Sequence, residues 1–249
     1  MIQPSNFKTL HNNQNIFYCN TEEVNIFFQR KIDNEFILIS GNSDGKIFDC
    51  GNYYPHANSL SIPENLKHWY GQNVCVYNDK ITSIPIGLED DKWFPELNKK
   101  NKIIQKIQES KNHRNLLYIN HNINTNPIRS LPYKIFENKS FAKCVFGANG
   151  QNFDGYLDEL YNSKFVLCPE GNGTDTHRTW ECLYLNTIPI EKRNINNSFY
   201  SDLPICFVDS WEEITEDFLN SEFDRITNQN WDLLKLDFNY WSTIIRGKL

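Results

Sequence analysis

The chain has 249 residues, a formal net charge of -6 and 39% hydrophobic residues, which suits a globular protein with one or two α/β domains and a sizeable core. Its acidic balance argues against a nucleic-acid-binding protein, because phosphate backbones are bound mainly through concentrated positive charge. No apolar stretch approaches the roughly eighteen residues of a membrane span.

The cysteines indicate a reducing compartment. The seven cysteines include no Cys-x-x-Cys pair and mostly stand in apolar runs such as Val74-Cys75-Val76, as buried free thiols do. Residues 1–7 lack the basic and apolar parts of a signal peptide. A glycosylation sequon at Asn172 falls inside the site proposed below, where a glycan would obstruct it. We therefore expect a cytoplasmic protein.

The first clear strand is Glu35–Ser40, a continuous apolar run of the buried parallel type. It leads into the loop Gly41–Gly45, in which Asp44 is the candidate general base. A carboxylate at the mouth of a cleft can take a proton from a substrate hydroxyl. The other interpretation of Asp44 is an ordinary Asp-Gly turn. Alternative residues for the same role are Asp49, His56 and His68.

The rest of the first half contains three predicted features. Glu64–Gly71 is predicted to form a short helix that ends in glycine, and Asn73–Tyr77 is predicted to form a strand. Residues 81–89 leave a strand, because Pro85 and Gly87 do not suit a continuing sheet. If the chain forms two α/β domains, this segment lies beside the cleft between them. Glu89 either faces the cleft or is a surface carboxylate, and the second interpretation is favoured.

A change of composition marks a domain boundary. Residues 90–115 are rich in Lys, Asn, Glu and Gln, with one helix across Asn98–Ser110. The expected units are a first domain over residues 1–110, a second over 111–230 and a C-terminal helix over 231–249.

The second half opens with the buried strand Leu116–Ile119 and a polar loop after it. Asn126 caps the next helix and Pro127 takes its first position, so a helix begins at the carboxyl end of a strand. Polar side chains at this place suit phosphate oxygens or sugar hydroxyls, although the loop is also simply rich in Asn. The candidate ligands are Asn120, Asn122, Thr125 and Arg129.

Strands and helices then alternate to the end of the chain. Phe141–Phe146 predicts a strand, Phe153–Ser163 an acidic amphipathic helix and Lys164–Pro169 another strand. Pro204–Val208 predicts a further strand, and a helix opens at Asp209 with an acidic first turn. This alternation, without hairpin signals, is typical of a doubly wound sheet. The last predicted helix carries an aromatic stripe of Trp231, Leu234, Phe238, Trp241 and Ile245.

The most informative stretch runs from Phe165 to Ile190. An apolar strand ends at Pro169, a Gly-Asn-Gly turn follows, and Asp175 or Thr176 stands where a helix needs its N-cap. A helix N-terminus offers free N–H groups and partial positive charge, and ligands of open α/β sheets bind at the carboxyl ends of strands. This position therefore suits a diphosphate.

Two side chains on that helix extend the argument. Arg178 supplies a planar cation for phosphate oxygens, and Glu181 is an acceptor of the kind that holds ribose hydroxyls. The alternative interpretation is a glycine turn with an ordinary surface Arg-Glu pair. The candidate ligands of this stretch are Asn172, Gly173, Asp175, Thr176, His177, Arg178 and Glu181.

The run Cys168–Glu181, closed by Ile188–Ile190, resembles the nucleotide-sugar motif of exostosin-like glycosyltransferases, especially the short forms of large DNA viruses and some bacteria. Residues 85–87 and 120–125 resemble segments of the same family. The sequence departs from that family at Glu170, where relatives often carry Arg or Ser. Asn186 stands where a glycine is usual, but Asn tolerates the left-handed conformation that ends a helix.

The resemblance implies a GT-B fold, with two Rossmann-like α/β domains facing a cleft. It implies that the second domain holds a nucleotide sugar through Arg178 and Glu181, and that the C-terminal helix crosses back to the first domain. The expected function is transfer of a sugar from a nucleoside diphosphate, with uridine diphosphate as the expected nucleotide, to a hydroxyl of a glycan or glycoprotein acceptor. The alternative is a catalytically silent module that binds nucleotide sugars or glycans.

No metal or other cofactor is expected. His177 and Glu181 stand four residues apart, but two ligands alone make a poor metal site, and no Asp-x-Asp pair stands near a strand end. The helix N-terminus and Arg178 are expected to supply the positive charge instead. Inversion or retention at the sugar is left open.

Overall fold

The computed structural model describes residues 1–12, 14–48, 62–146 and 152–249. These residues form two parallel β-sheets with helices packed around them, an α/β architecture of the kind that the alternation of strands and helices predicts. Two of the alternative bases, Asp49 and His56, lie outside the described residues.

The first sheet consists of parallel strands in the order β1-β2-β3-β4. The strands are β1 Ile16–Asn20, β2 Phe36–Gly41, β3 Leu66–Gly71 and β4 Ile81–Ser83. Strand β2 is buried along its whole length, which explains its unbroken apolar run.

The second sheet is also parallel, in the order β6-β5-β7-β8-β9. Its strands are β5 Asn115–Ile119, β6 Ala142–Cys144, β7 Ser163–Leu167, β8 Ile188–Lys192 and β9 Cys206–Val208. The chain adds β6 on one side of β5 and then returns to add β7 on the other side. The loops after β5 and β7 therefore diverge, and open α/β sheets bind ligands in the crevice at such a switch point.

Helices cover both sheets. The helices are α1 Pro4–Lys8, α2 Val24–Phe27, α3 Lys99–Lys106, α4 Ser130–Phe136, α5 Phe153–Tyr161, α6 His177–Tyr184, α7 Ile195–Ser198, α8 Glu216–Thr227 and α9 Phe238–Gly247. Short 3-10 turns occur at Thr21–Glu23, Pro95–Leu97, Pro127–Arg129, Trp211–Glu213 and Leu234–Leu236.

Two predictions in the first half are wrong. The segment Glu64–Gly71, predicted as a helix, contains strand β3, because pairing with β2 and β4 on both sides buries Trp69 and overrides a weak local preference. Among the residues that the structure describes, the segment Asn73–Tyr77, predicted as a strand, makes a single bridge, between Val74 and Ile47.

The helix predicted from Asp209 begins later than expected. Trp211–Glu213 forms a separate 3-10 turn, and helix α8 starts at Glu216. Thr215 is its N-cap, since its side chain accepts a hydrogen bond from the backbone N–H of Phe218.

A hydrophobic cluster joins the two halves of the chain. It packs residues of the first sheet and N-terminus against helices α6 and α9 and the loop before β9. In it, the ring of Phe7 meets that of Phe238 of α9 at a centroid distance of 5.5 Å. The cluster comprises Ile2, Phe7, Leu10, Ile16, Ile37, Ile39, Tyr70, Ile84, Ile86, Trp180, Leu183, Tyr200, Leu203, Ile205, Trp241 and Ile245.

A glycine shapes the segment that leaves the first sheet. Gly87 has a φ of +67°, and a Cβ there would stand 2.4 Å from the backbone oxygen of Ile2. That oxygen accepts a hydrogen bond from the N–H of Leu88 at 2.8 Å. Only glycine fits this close approach at positive φ. The resulting turn brings the carbonyl of Gly87 to helix α6, where His177 contacts it.

Candidate functional site

A cavity of about 390 Å³ lies at the switch point of the second sheet, and segments from the first half also border it. It is lined by Asp44, Ile86, Glu89, Thr125, Arg129, Tyr156, Gly171, Asn172, Gly173, Asp175, Thr176, His177, Arg178 and Glu181. The candidate base and most of the candidate ligands from the sequence therefore lie around one space. Asn120 and Asn122 do not line it.

Arg129 braces the glycine turn that follows β7. Its guanidinium donates to the carbonyl oxygens of Glu170 at 2.7 Å and Pro169 at 3.0 Å, and to Thr125 Oγ1 at 2.8 Å. A Cβ on Gly171 would stand 2.9 Å from Arg129 Nη2, so the glycine permits this packing. Burial and the neighbouring charge of Arg178 lower the pKa of Arg129 to about 10, which leaves it charged at neutral pH.

Arg178, on the first turn of α6, is a cation with unused bonding capacity. Its Nη1 is buried and has no hydrogen-bond partner among the described residues. The guanidinium lies 5.2 Å from the centroid of the Tyr156 ring, a cation–π contact. A buried donor without an acceptor costs free energy, so this group is suited to an acceptor that enters the cavity.

Glu181 lies one helical turn further on and is only 4% exposed. Its Oε2 accepts a hydrogen bond from the Tyr156 hydroxyl at 2.6 Å, and its Oε1 lies 3.6 Å from Lys99 Nζ. A carboxylate has about four lone-pair positions, so these contacts leave room for a ligand hydroxyl. Glu181 as the ribose ligand remains a prediction.

Asp175 links the two halves at the edge of the cavity. Its Oδ2 accepts from the backbone N–H of Ile86 at 2.8 Å, and its Oδ1 accepts from Trp180 Nε1 at 2.8 Å. Its own N–H donates to Asn73 Oδ1 at 2.8 Å. Burial raises the pKa of Asp175 to about 6. These contacts give Asp175 a structural role beside the site.

The first residue of α6 also contacts the first half. His177 Nδ1 lies 2.7 Å from the carbonyl oxygen of Gly87, and its Nε2 lies 3.4 Å from Glu89 Oε2. Thr176, the N-cap residue, precedes it in extended conformation, with its Oγ1 3.5 Å from that of Thr179.

Asp44 lies at the rim of the cavity and is exposed. Its Oδ2 accepts a hydrogen bond from Asn172 Nδ2 at 3.2 Å, across the glycine turn. Gly173 completes that turn, and a Cβ there would stand 2.9 Å from Asn73 Oδ1. The turn is therefore packed directly against the first half.

The remaining candidates lie away from the cavity. Asn120 is buried and donates to the Tyr118 hydroxyl at 2.8 Å, while Asn122 shapes its loop by accepting from the backbone N–H of Asn124 at 2.9 Å. His68 lies near the start of β3, 2.8 Å from Thr82 Oγ1, and burial lowers its pKa to about 4. It is remote from the carboxyl ends of the strands, which explains why it does not reach the site.

The two departures from the exostosin-like pattern are both accommodated. Glu170 lines a separate cavity of about 160 Å³, where Asn194 Nδ2 lies 3.1 Å and Lys46 Nζ 3.5 Å from its carboxylate. It does not line the larger cavity beside Arg178. Asn186 has a φ of +53°, the left-handed conformation expected after α6.

Sequence reasoning did not single out Tyr156, and for Glu89 it favoured a surface position over one facing the cleft. Tyr156 was read as part of an acidic amphipathic helix, and nothing in its neighbourhood in sequence marks it as a contact of Arg178. For Glu89, the Pro85–Gly87 break beside a strand end was the available signal.

Neither a metal site nor a membrane helix is found in the described ranges. No group of three or more His, Cys, Asp or Glu side chains among those residues is placed to hold a metal ion. No helix there has the length and apolar character needed to cross a bilayer. Independence from metal stays a prediction.

Comparisons with known proteins include a likeness to a solved structure. No family model and no curated protein matches the chain. The crystal structure of an alpha1,3-fucosyltransferase is similar to it, with 14% sequence identity, coverage of 93% of this chain and 88% of that chain, and a TM-score of 0.45. A likeness of this degree carries no argument, so the assignment of a function rests on the geometry of the cavity.

Proposed function

We propose that the chain is a glycosyltransferase that moves a sugar from a nucleoside diphosphate to a glycan hydroxyl. The observation that carries the proposal is the unpartnered Nη1 of Arg178, buried at the N-terminus of α6 in a cavity at the switch point of a parallel sheet. A helix N-terminus and a guanidinium both favour phosphate oxygens. The resemblance of residues 168–181 to the exostosin-like motif supports the same class of ligand.

We infer the orientation of the donor from the charged groups that line the cavity. Its diphosphate lies at the start of α6 between Arg178 and Arg129, whose positive charges stabilise the leaving group as the glycosidic bond breaks. Its ribose lies toward Glu181, as proposed from the sequence. The sugar then points toward the first half of the chain, where the acceptor enters. Uridine diphosphate is the proposed nucleotide.

The test is a panel of UDP-sugars and GDP-sugars with the purified chain, read by thermal shift and by release of nucleoside diphosphate. Release that requires an added oligosaccharide acceptor supports the transferase. Donor binding without release, across the acceptor panel, favours the silent binding module. If neither free UDP nor GDP nor any donor shifts the melting temperature or is bound in calorimetry, the cavity is not a nucleotide site and the proposal fails.

A further inference from the structure

We propose that Glu89, and not Asp44, is the catalytic base, and that His177 positions it. This inference rests on the proposed function. Glu89 lines the same cavity as Arg178, and it comes from the first half of the chain, on the side where the acceptor enters. Its side chain is 24% exposed, so it reaches the cavity from a largely enclosed position.

Glu89 is held in place by several groups. Its Oε1 lies 3.2 Å from the backbone N–H of Asp90, and its carbonyl oxygen accepts from Gln3 Nε2 at 3.0 Å. Its Oε2 lies 3.4 Å from His177 Nε2. A catalytic carboxylate works best when its orientation is fixed before the substrate arrives.

His177 is in turn fixed by the main chain. Its Nδ1 lies 2.7 Å from the carbonyl oxygen of Gly87. Because a carbonyl oxygen can only accept, Nδ1 carries a proton. Nε2 then bonds the ionised carboxylate of Glu89 as a second N–H donor when the ring is an imidazolium, whereas in the neutral ring it can accept the proton that Glu89 takes from the hydroxyl. The Gly87 carbonyl thus fixes the His177 imidazole, and the imidazole contacts the Glu89 carboxylate. In many active sites, the catalytic base is likewise oriented by a neighbouring group.

His177 is the residue directly before Arg178, so Glu89 lies beside the proposed diphosphate position. The anomeric carbon of a donor is attached to that diphosphate, and an acceptor hydroxyl attacking this carbon must come close to the same place. Asp44 lacks comparable support. It is exposed at the rim and is bonded to the side chain of Asn172.

The step balances without any further reactant. The acceptor oxygen forms a bond to the anomeric carbon as the bond between that carbon and the phosphate oxygen breaks. The bonding electron pair leaves with the nucleoside diphosphate, and the hydroxyl proton passes to the carboxylate of Glu89. The direct displacement inverts the configuration at the anomeric carbon.

The test compares Glu89→Gln, Glu89→Asp, Asp44→Asn and the control Glu96→Gln, an exposed glutamate outside the cavity, with the wild-type chain. The substrates are the donor and oligosaccharide pair found active in the panel. Glu89→Gln should lower kcat at least 100-fold and change donor Kd less than threefold, while Glu89→Asp recovers part of the loss. Glu96→Gln should stay within threefold of wild type, and the loss of kcat in Asp44→Asn should be at least about tenfold smaller than the loss in Glu89→Gln.

His177→Gln should lower kcat without a matching rise in the KM of the donor, because it acts through Glu89. NMR of the product should show inversion. Four results would each overturn the assignment of Glu89 while leaving the proposed transferase activity standing. They are a near-normal kcat in Glu89→Gln, a loss of donor affinity in that variant as large as its loss of kcat, a loss of kcat in Asp44→Asn as large as in Glu89→Gln, and retained configuration in the product. If the wild-type chain turns over no donor, the proposed function and this inference both fail.

Discussion

Replacing Arg178 by Met tests whether its guanidinium is kept for a ligand. Methionine retains an unbranched apolar stem but removes the charge and the buried Nη1, which has no partner in the described structure. Leaving such a donor unsatisfied costs roughly 1–3 kcal/mol in the ligand-free protein. The lost cation–π contact with Tyr156 opposes this by about 0.5–2 kcal/mol. The buried carboxylate of Glu181 also loses a neighbouring positive charge, so the free energy of unfolding should change little.

Nucleotide binding, in contrast, should weaken. A charge-assisted contact with phosphate contributes roughly 1.5–3 kcal/mol, so Arg178→Met should weaken the donor and free nucleoside diphosphate at least tenfold. Calorimetric titration measures the affinity, and urea denaturation measures the stability. A side chain needed only for folding cannot give preserved stability together with lost affinity.

Arg129→Met is the matched control. Its guanidinium satisfies the backbone oxygens of Pro169 and Glu170, so its removal leaves two acceptors short of a donor. This variant should lose roughly 2 kcal/mol or more of unfolding free energy. If Arg178→Met instead loses more than about 3 kcal/mol, or binds nucleotide as tightly as wild type, Arg178 belongs to the core and not to the site.

Three further predictions concern the proposed ribose contact of Glu181, the buried carboxylate of Asp175 and the turn at Gly87. Glu181→Gln should weaken the binding of ribonucleotide donors more than that of their 2′-deoxy counterparts, as measured by calorimetry. Equal losses of affinity would show that Glu181 does not contact the ribose. Since the pKa of Asp175 is raised from 3.8 to about 6, the folded chain favours the protonated form. The wild type should therefore lose about 2 kcal/mol of unfolding free energy relative to Asp175→Asn as pH rises from about 4 to 7. Urea-denaturation profiles of the two proteins that stay parallel over this range would refute the raised pKa. Gly87→Ala should cost about 1–3 kcal/mol, because its φ is +67° and the added Cβ meets the oxygen of Ile2 at 2.4 Å; unchanged unfolding would show that the turn adapts.

The sequence by itself determined the local parts of the site. The strand before Pro169 and the glycine turn follow from an apolar run and Gly-Asn-Gly, which act over a few neighbouring residues. The same holds for the strand β5 and the helix start that follows it. Helix α6 begins after Thr176 as predicted, although the Thr176 side chain makes no capping hydrogen bond. Arg178 on a first turn at a strand end was predictable for this reason.

Only the tertiary structure decided which of these polar groups remain free. Asp175 and Arg178 belong to one short stretch, yet Asp175 is bonded to Ile86 and Trp180 while Arg178 keeps an unpartnered nitrogen. Strand β3 was misread as a helix, because its pairing with strands on both sides decides its conformation. Glu89 reaches the cavity because the halves pack together and bring it to His177, 88 positions further along the chain. Local patterns carry no information on such contacts, since these depend on the register and packing of elements that are distant in sequence.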